Sequence, residues 1–418
     1  MPCAVTQVAV PAATGTQDIT VAGTTNCKGA IFWVTSATAN GALTANAHLC
    51  FGMTDGTNNR TQGSFDRDNE ASQVTGRRGM NDKCIFIWDV AGSTIKAEAH
   101  FDSFINSGGV WGVRINWTTA SATAFLLNVI LLSDDMVANF HVNDLTNTGI
   151  LDATADITTV GFQPDSIVIF RMGPNLSDTN GALGEWSVGF VDFQPTITQG
   201  SARLIVNNAQ ANEDAACIRT SSYGMRVCTT SAATVGQEYS DPDASGFSVT
   251  TRENATAALV CYGAIKWQPG VLHWVGEIST PTGTGNQSVT SPGFTPAMVL
   301  VVGNNQSVNE TFDNSSEVGS WSFGAFTSSA AYSASVGVDD AAATMITRCA
   351  VHSRPLYMAS TDPTTIVYDA TFVSMDGVGW TWNFGATDAT ARKMQALAAS
   401  MPASIPKFDH HYRMQRAA

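Results

Sequence analysis

Gly112-Val113-Arg114-Ile115-Asn116-Trp117, Gly246-Phe247-Ser248-Val249-Thr250-Thr251 and Gly379-Trp380-Thr381-Trp382-Asn383-Phe384 decide the reading of this chain. Each is a glycine followed by residues of alternating character, the period-two signature of a half-buried strand. Each is followed by the same triplet, as Ala122-Thr123-Ala124, Ala255-Thr256-Ala257 and Ala389-Thr390-Ala391, with the threonines 133 and 134 residues apart. Two earlier landmarks keep that register. Phe162-Gln163-Pro164 leads into Ile167-Val168-Ile169-Phe170, and Phe294-Thr295-Pro296 leads into Met298-Val299-Leu300-Val301-Val302; the first copy offers Gly29-Ala30-Ile31-Phe32-Trp33 without the Phe-x-Pro entry. Leu49-Cys50-Phe51-Gly52, Trp186-Ser187-Val188-Gly189 and Trp321-Ser322-Phe323-Gly324 form the second set, with glycines 137 and 135 residues apart. Landmarks recurring in one order at one period predict a module copied three times.

Short apolar or alternating runs separated by turn clusters such as Asp55-Gly56-Thr57-Asn58-Asn59 and Gly303-Asn304-Asn305 predict an all-β protein. The expected architecture is three tandem antiparallel β-sandwich modules, jelly-roll-like, over residues 1–133, 134–269 and 270–400. A basic and aromatic tail, 401–418, belongs to no repeat. The last strand of each module is apolar throughout and is expected inside a sheet; over Ala389 to Ser400 a strand passing into a helical turn is expected. Repeats this long read as beads rather than a solenoid, and the short joints near Ser133-Asp134-Asp135 and Lys266-Trp267-Gln268-Pro269-Gly270 predict that neighbours touch.

Of the 418 residues 44% are hydrophobic and only 13% charged, with a net charge of −14. A globular protein is usually about a quarter charged, and so charge-poor a composition fits extracellular β-proteins and virion proteins better than a cytosolic enzyme. No lysine or arginine stripe is present, which excludes a general nucleic-acid binder. Met1-Pro2-Cys3 runs into Val8-Ala9-Val10 without a basic, apolar leader, so no secretory signal is expected. No stretch approaches the roughly 20 apolar residues of a membrane span.

The residues that could carry chemistry do not assemble into a site. Cys3, Cys27, Cys50, Cys84, Cys217, Cys228, Cys261 and Cys349 show no metal-ligand spacing and fall unevenly among the repeats. They read as small buried hydrophobes, with a Cys217–Cys228 disulfide as the alternative. His48, His100, His141, His273, His352, His410 and His411 occupy no position common to all three repeats. The carboxylates Asp68/Glu70, Glu213/Asp214 and Asp339/Asp340 recur at related places. Neighbours on a strand point to opposite faces, so these pairs read as polar loops rather than the facing acids of a glycosidase. Asp55-Gly56-Thr57-Asn58 reads as a turn, and the repeated tryptophans read as core. No catalytic residue, metal ligand or cofactor site is expected.

Certain motifs resemble a known module. Phe162-Gln163-Pro164 before its apolar strand, Phe51-Gly52-Met53-Thr54-Asp55-Gly56-Thr57-Asn58 with Asp68-Asn69 downstream, and Phe372-Val373-Ser374-Met375-Asp376-Gly377 followed by Ala389-Thr390-Ala391-Arg392-Lys393 are similar to a module common in structural proteins of tailed bacteriophages. The resemblance covers all three repeats and matches no single protein. It implies a non-enzymatic part of the virion, with other virion proteins or further copies of the chain as partners. Three similar domains in one chain can imitate a homotrimer at a three-fold lattice position, so a head decoration or cement protein is the leading expectation. A tail-associated adhesin that binds a host surface glycan is the alternative. Neither nucleic acid nor membrane is an expected partner.

Overall fold

The computed structural model describes residues 3–89, 94–147, 149–173, 175–211, 214–229, 231–253, 258–313, 319–339, 346–359 and 365–403. Among them there is no helix, and every sheet is antiparallel. Each third of the chain builds one large and one four-stranded sheet. In the first third the large sheet runs Cys3–Ala9, Leu126–Ser133, Cys27–Val34, Ala47–Thr54, Asn59–Asp66, Thr75–Met80. Its companion runs Gly15–Thr20, Val110–Thr119, Thr94–Ser107, Ile85–Asp89. The second and last thirds repeat both orders. Their last strands, Leu259–Trp267 and Lys393–Ser400, again lie between the first and the next strand of the large sheet.

The registers correspond as well as the orders. A line drawn across the first large sheet passes through Val5, Ile130, Ile31, Met53 and Arg60. The corresponding lines are Val142, Gly263, Val168, Phe190, Gly200 and Val275, Leu397, Leu300, Ala325, Tyr332. Two expectations need correction here. Consecutive strands mostly pair as hairpins inside one sheet, as from Ala47–Thr54 to Thr75–Met80, whereas a jelly roll is built from two Greek keys. Residues Lys393 to Ser400 are strand to the end, with no helical turn.

The thirds are not beads in a row. Residues Thr44–Ala45 add to the edge of the last large sheet, with Cys349 opposite Thr44. Phe312–Asp313 add to the edge of the second, with Cys217 opposite Asp313. Gly181 and Ser177 bridge to Arg77 and Met80 on the edge of the first. Each third thus lends a short loop segment to another: first to last, last to second, second to first. The chain closes into a ring.

A single apolar core fills the middle of that ring, with Trp33, Phe51, Phe170, Trp186, Trp321 and Phe323 all in it. The Phe51 ring lies 5.0 Å from both Phe170 and Phe323, so one side chain touches all three thirds. Further apolar cores lie between each large sheet and its companion, two of them in the second third. The large sheets are therefore covered on both faces. Ala47–Thr54, Gly184–Asp192 and Ser320–Thr327 are buried at every position, although Trp186-Ser187-Val188-Gly189 and Ser320-Trp321-Ser322-Phe323 alternate large with small or polar residues.

Candidate functional site

Among the described residues, those with chemical potential are dispersed or buried. All eight cysteines are buried and free, including Cys217 and Cys228. Burial pushes the Cys3 and Cys27 thiols up to about 12, far from the thiolate a nucleophile needs. His48 is fully buried, and burial, helped by Lys96, pulls it down to about 3. Its Nε2 accepts the Trp88 N–H at 3.1 Å, which places the proton on Nδ1. Neutral and enclosed, it cannot act as a base toward an external substrate.

Of the recurring carboxylate pairs only Asp68/Glu70 lies wholly among the described residues, and its two members turn to different partners. Asp68 bonds the Thr347 N–H at 3.1 Å and pairs with Arg348, while Glu70 sits 3.7 Å from Arg67. Asp214 accepts from the Asn207 amide at 2.5 Å. Asp339 closes a backbone bond with Ile346. Glu213, Asp340, Ala255-Thr256-Ala257 and His410-His411 lie outside the described residues, as does the tail from 404 onward. Among the described residues no three His, Cys, Asp or Glu side chains cluster as metal ligands. Asp55 does cap its turn, accepting from the Thr57 and Asn58 N–H groups, and it also reaches the Val142 N–H at 2.9 Å in the second third. Trp33, Trp88, Trp117, Trp186, Trp321, Trp380 and Trp382 are fully buried, so they pack rather than offer sugar platforms.

The polar chemistry sits at the seams between thirds. At the first seam, fully buried Glu185 accepts from Arg171 at 2.7 Å, lies 3.2 Å from Arg203, and pairs with Arg77 from the first third. Burial raises the Glu185 carboxyl, but the three guanidiniums outweigh it and hold it below the ordinary value. Arg60 crosses the same seam to Asp144 and Asn143, both at 2.6 Å. At the second seam Arg219 meets Glu277 at 2.8 Å, Lys393 and Asn309 also bond Glu277, and His273 meets Asp192 at 2.9 Å. Asn304 donates to the carbonyls of Arg203 and Ile218, each at 3.0 Å. At the third seam Thr347 donates to the Asp66 carbonyl at 2.9 Å, and Tyr357 donates to the Gly41 carbonyl at 3.0 Å.

Sequence reasoning passed over Glu185, Arg203, Arg219 and Arg60. The available signal was a charge inside an apolar strand, as in Glu185-Trp186, Ala202-Arg203-Leu204 and Ile218-Arg219, in a chain otherwise poor in charge. Such a residue needs a buried partner.

Two of the openings in the surface are sizeable. An apolar groove of about 450 Å³ is lined by Pro296, Ala297, Met375 and Met401, beside Cys3. A mixed cleft of about 370 Å³ lies at the second seam, between Ile197–Gln199, Ser221–Ser222, Val275–Glu277 and Gln395. No helix among the described residues is long and apolar enough to cross a membrane.

No known protein family matches this chain, and no curated protein matches it. Among solved structures, a fructofuranosidase from Schwanniomyces occidentalis complexed with fructose aligns at 7% identity over 95% of this chain and 98% of that one, with a TM-score of 0.15. A variant of that enzyme complexed with fructosylnystose aligns at 8% identity over 92% of this chain and 100% of that one, with a TM-score of 0.11. At these TM-scores the likeness carries no argument about fold or function.

Proposed function

We propose that the chain is a non-enzymatic structural protein of a tailed-bacteriophage virion: a single-chain pseudo-trimer of three duplicated β-sandwich modules, acting as a head decoration or cement protein. The modules are residues 1–133, 134–269 and 270–400, followed by the tail 401–418. The observation that carries the reading is the cyclic exchange of edge segments around one shared core. That closure is what a homotrimer achieves with three chains, and a three-fold or quasi-three-fold lattice junction presents the matching symmetry. The inward-turned chemistry supports the same reading: the cysteines and eight of the ten tryptophans are buried in packing, and the buried ion pairs hold seams together. Duplication is supported by the corresponding registers and by landmark glycines at equivalent strand positions.

Quantitative mass spectrometry of purified particles tests the proposal. Tens to hundreds of copies per particle, scaling with the major capsid protein, are expected. Absence from particles contradicts the virion reading, and a count of about three to eighteen moves the protein to the tail or neck, where ring symmetries are of that order.

A further inference from the structure

The two best-defined seams can be compared position by position, because their large sheets share a register. Arg60 of the first sheet corresponds to Gly200 of the second, both lying opposite the equivalent residues Met53 and Phe190. Across the seam, Asn143 and Asp144 correspond to Gly276 and Glu277, since each pair follows the equivalent valines Val142 and Val275. At the first seam the Arg60 guanidinium fills the space, bonded to Asp144, Asn143 and the Asn59 carbonyl. At the second seam the arginine is a glycine and the carboxylate is kept. There Arg219 takes up the carboxylate and Gln395 packs over Gly200, and an open cleft of about 370 Å³, within the size range of small-molecule sites, lies beside them.

The cleft is already neutralised and already rigid. Glu277 is engaged by Arg219, Lys393 and Asn309 from within the protein. A cationic ligand would compete with two resident cations, and an anionic one would meet the carboxylate. The donors are fixed in place. The Gln199 side-chain oxygen accepts from the N–H groups of Gly224 at 2.9 Å and Tyr239 at 3.0 Å, and the Gln395 side-chain oxygen accepts from Arg219 at 3.3 Å. Both amides therefore present their NH₂ ends as donors, unpaired among the described residues. The Ser222 hydroxyl adds a donor-acceptor on an exposed turn. On the rim, Ile197 is 40% exposed and offers an apolar surface. Oriented amide and hydroxyl groups beside an exposed aliphatic side chain match a pyranose ring, which carries hydroxyls on its edge and C–H groups on its face.

We propose that this cleft binds a neutral carbohydrate residue, with Gln199, Gln395, Ser222 and Glu277 bonding its hydroxyls and Ile197 covering its apolar face. The inference stands on the seam geometry and is independent of where on a particle the protein sits. The test is saturation-transfer NMR on the full chain with methyl glycosides of glucose, galactose, mannose and N-acetylglucosamine, and with arginine methyl ester as the competing class. At least one glycoside is expected to bind saturably. Ser222→Trp, at an exposed turn, should plug the cleft and weaken that binding at least about tenfold. Ile197→Asp should weaken it without affecting folding. Saturation by none of the glycosides, transfer unchanged in both surface variants, or preferential binding of arginine methyl ester would each overturn the proposal.

Discussion

Glu185 shows how a single residue can be central to the fold and quiet in the sequence. Its carboxylate is buried against three arginines, one of them from another third of the chain. Removing one member of such a cluster leaves charge uncompensated, which costs about 3–5 kcal/mol. Glu185→Ala is therefore expected to lose about 3–5 kcal/mol of unfolding free energy at neutral pH in a urea titration. The pH dependence has a definite sign. The folded carboxyl lies below its ordinary value of 4.5, so its contribution is fully present above that value and is lost as pH falls through the lower, folded value. The gap between wild type and Glu185→Ala should accordingly narrow on acidification below pH 4.5; a gap that stays constant would remove the carboxylate from the account.

At the scale of elements, much was legible. The strands, the interior placement of each last strand and the burial of the cysteines follow from pattern, because apolar runs of strand length leave few alternatives. The repeating glycines were visible too, but their reason is visible only in three dimensions. A Cβ on Gly52, Gly189 or Gly324 would lie 1.8, 1.9 or 2.0 Å from the backbone oxygens of Cys84, Gly224 and Pro355. A Cβ on Gly112, Gly246 or Gly379 would meet the carbonyls of Ile19, Ile157 and Val289 at 2.1, 1.6 and 1.8 Å. Backbone packs directly on backbone at these points, so only glycine fits. Gly189→Ala, although a methyl group in an otherwise ordinary strand, should cost about 1–3 kcal/mol or more, read as a fall in the urea midpoint. A neutral result would mean that the Gly224 segment can step back without penalty.

At the scale of the molecule, the sequence was nearly silent. The segments that close the ring, 44–45, 177–181 and 312–313, are two to five residues long and carry no periodicity. The central core is invisible for a related reason. Its strands are buried on both faces, and periodicity cannot say what covers the second face. The jelly-roll expectation failed on the same ground: strand count and spacing do not determine the order in which strands pair.

Ring closure is the claim on which the rest depends, and a native cysteine offers a direct test. Thr44 and Cys349 face each other across the seam between the first and last thirds. Opposed residues of an antiparallel pair stand about 4.5–5.5 Å apart at Cα, within the range a disulfide spans. Thr44→Cys is therefore predicted to form an intramolecular disulfide with Cys349, seen as a faster monomer band on a non-reducing gel and, by mass spectrometry, as a cross-linked peptide pair joining the substituted position to Cys349. Free thiols at both positions, or a disulfide found only in dimers, would contradict a ring closed within one chain.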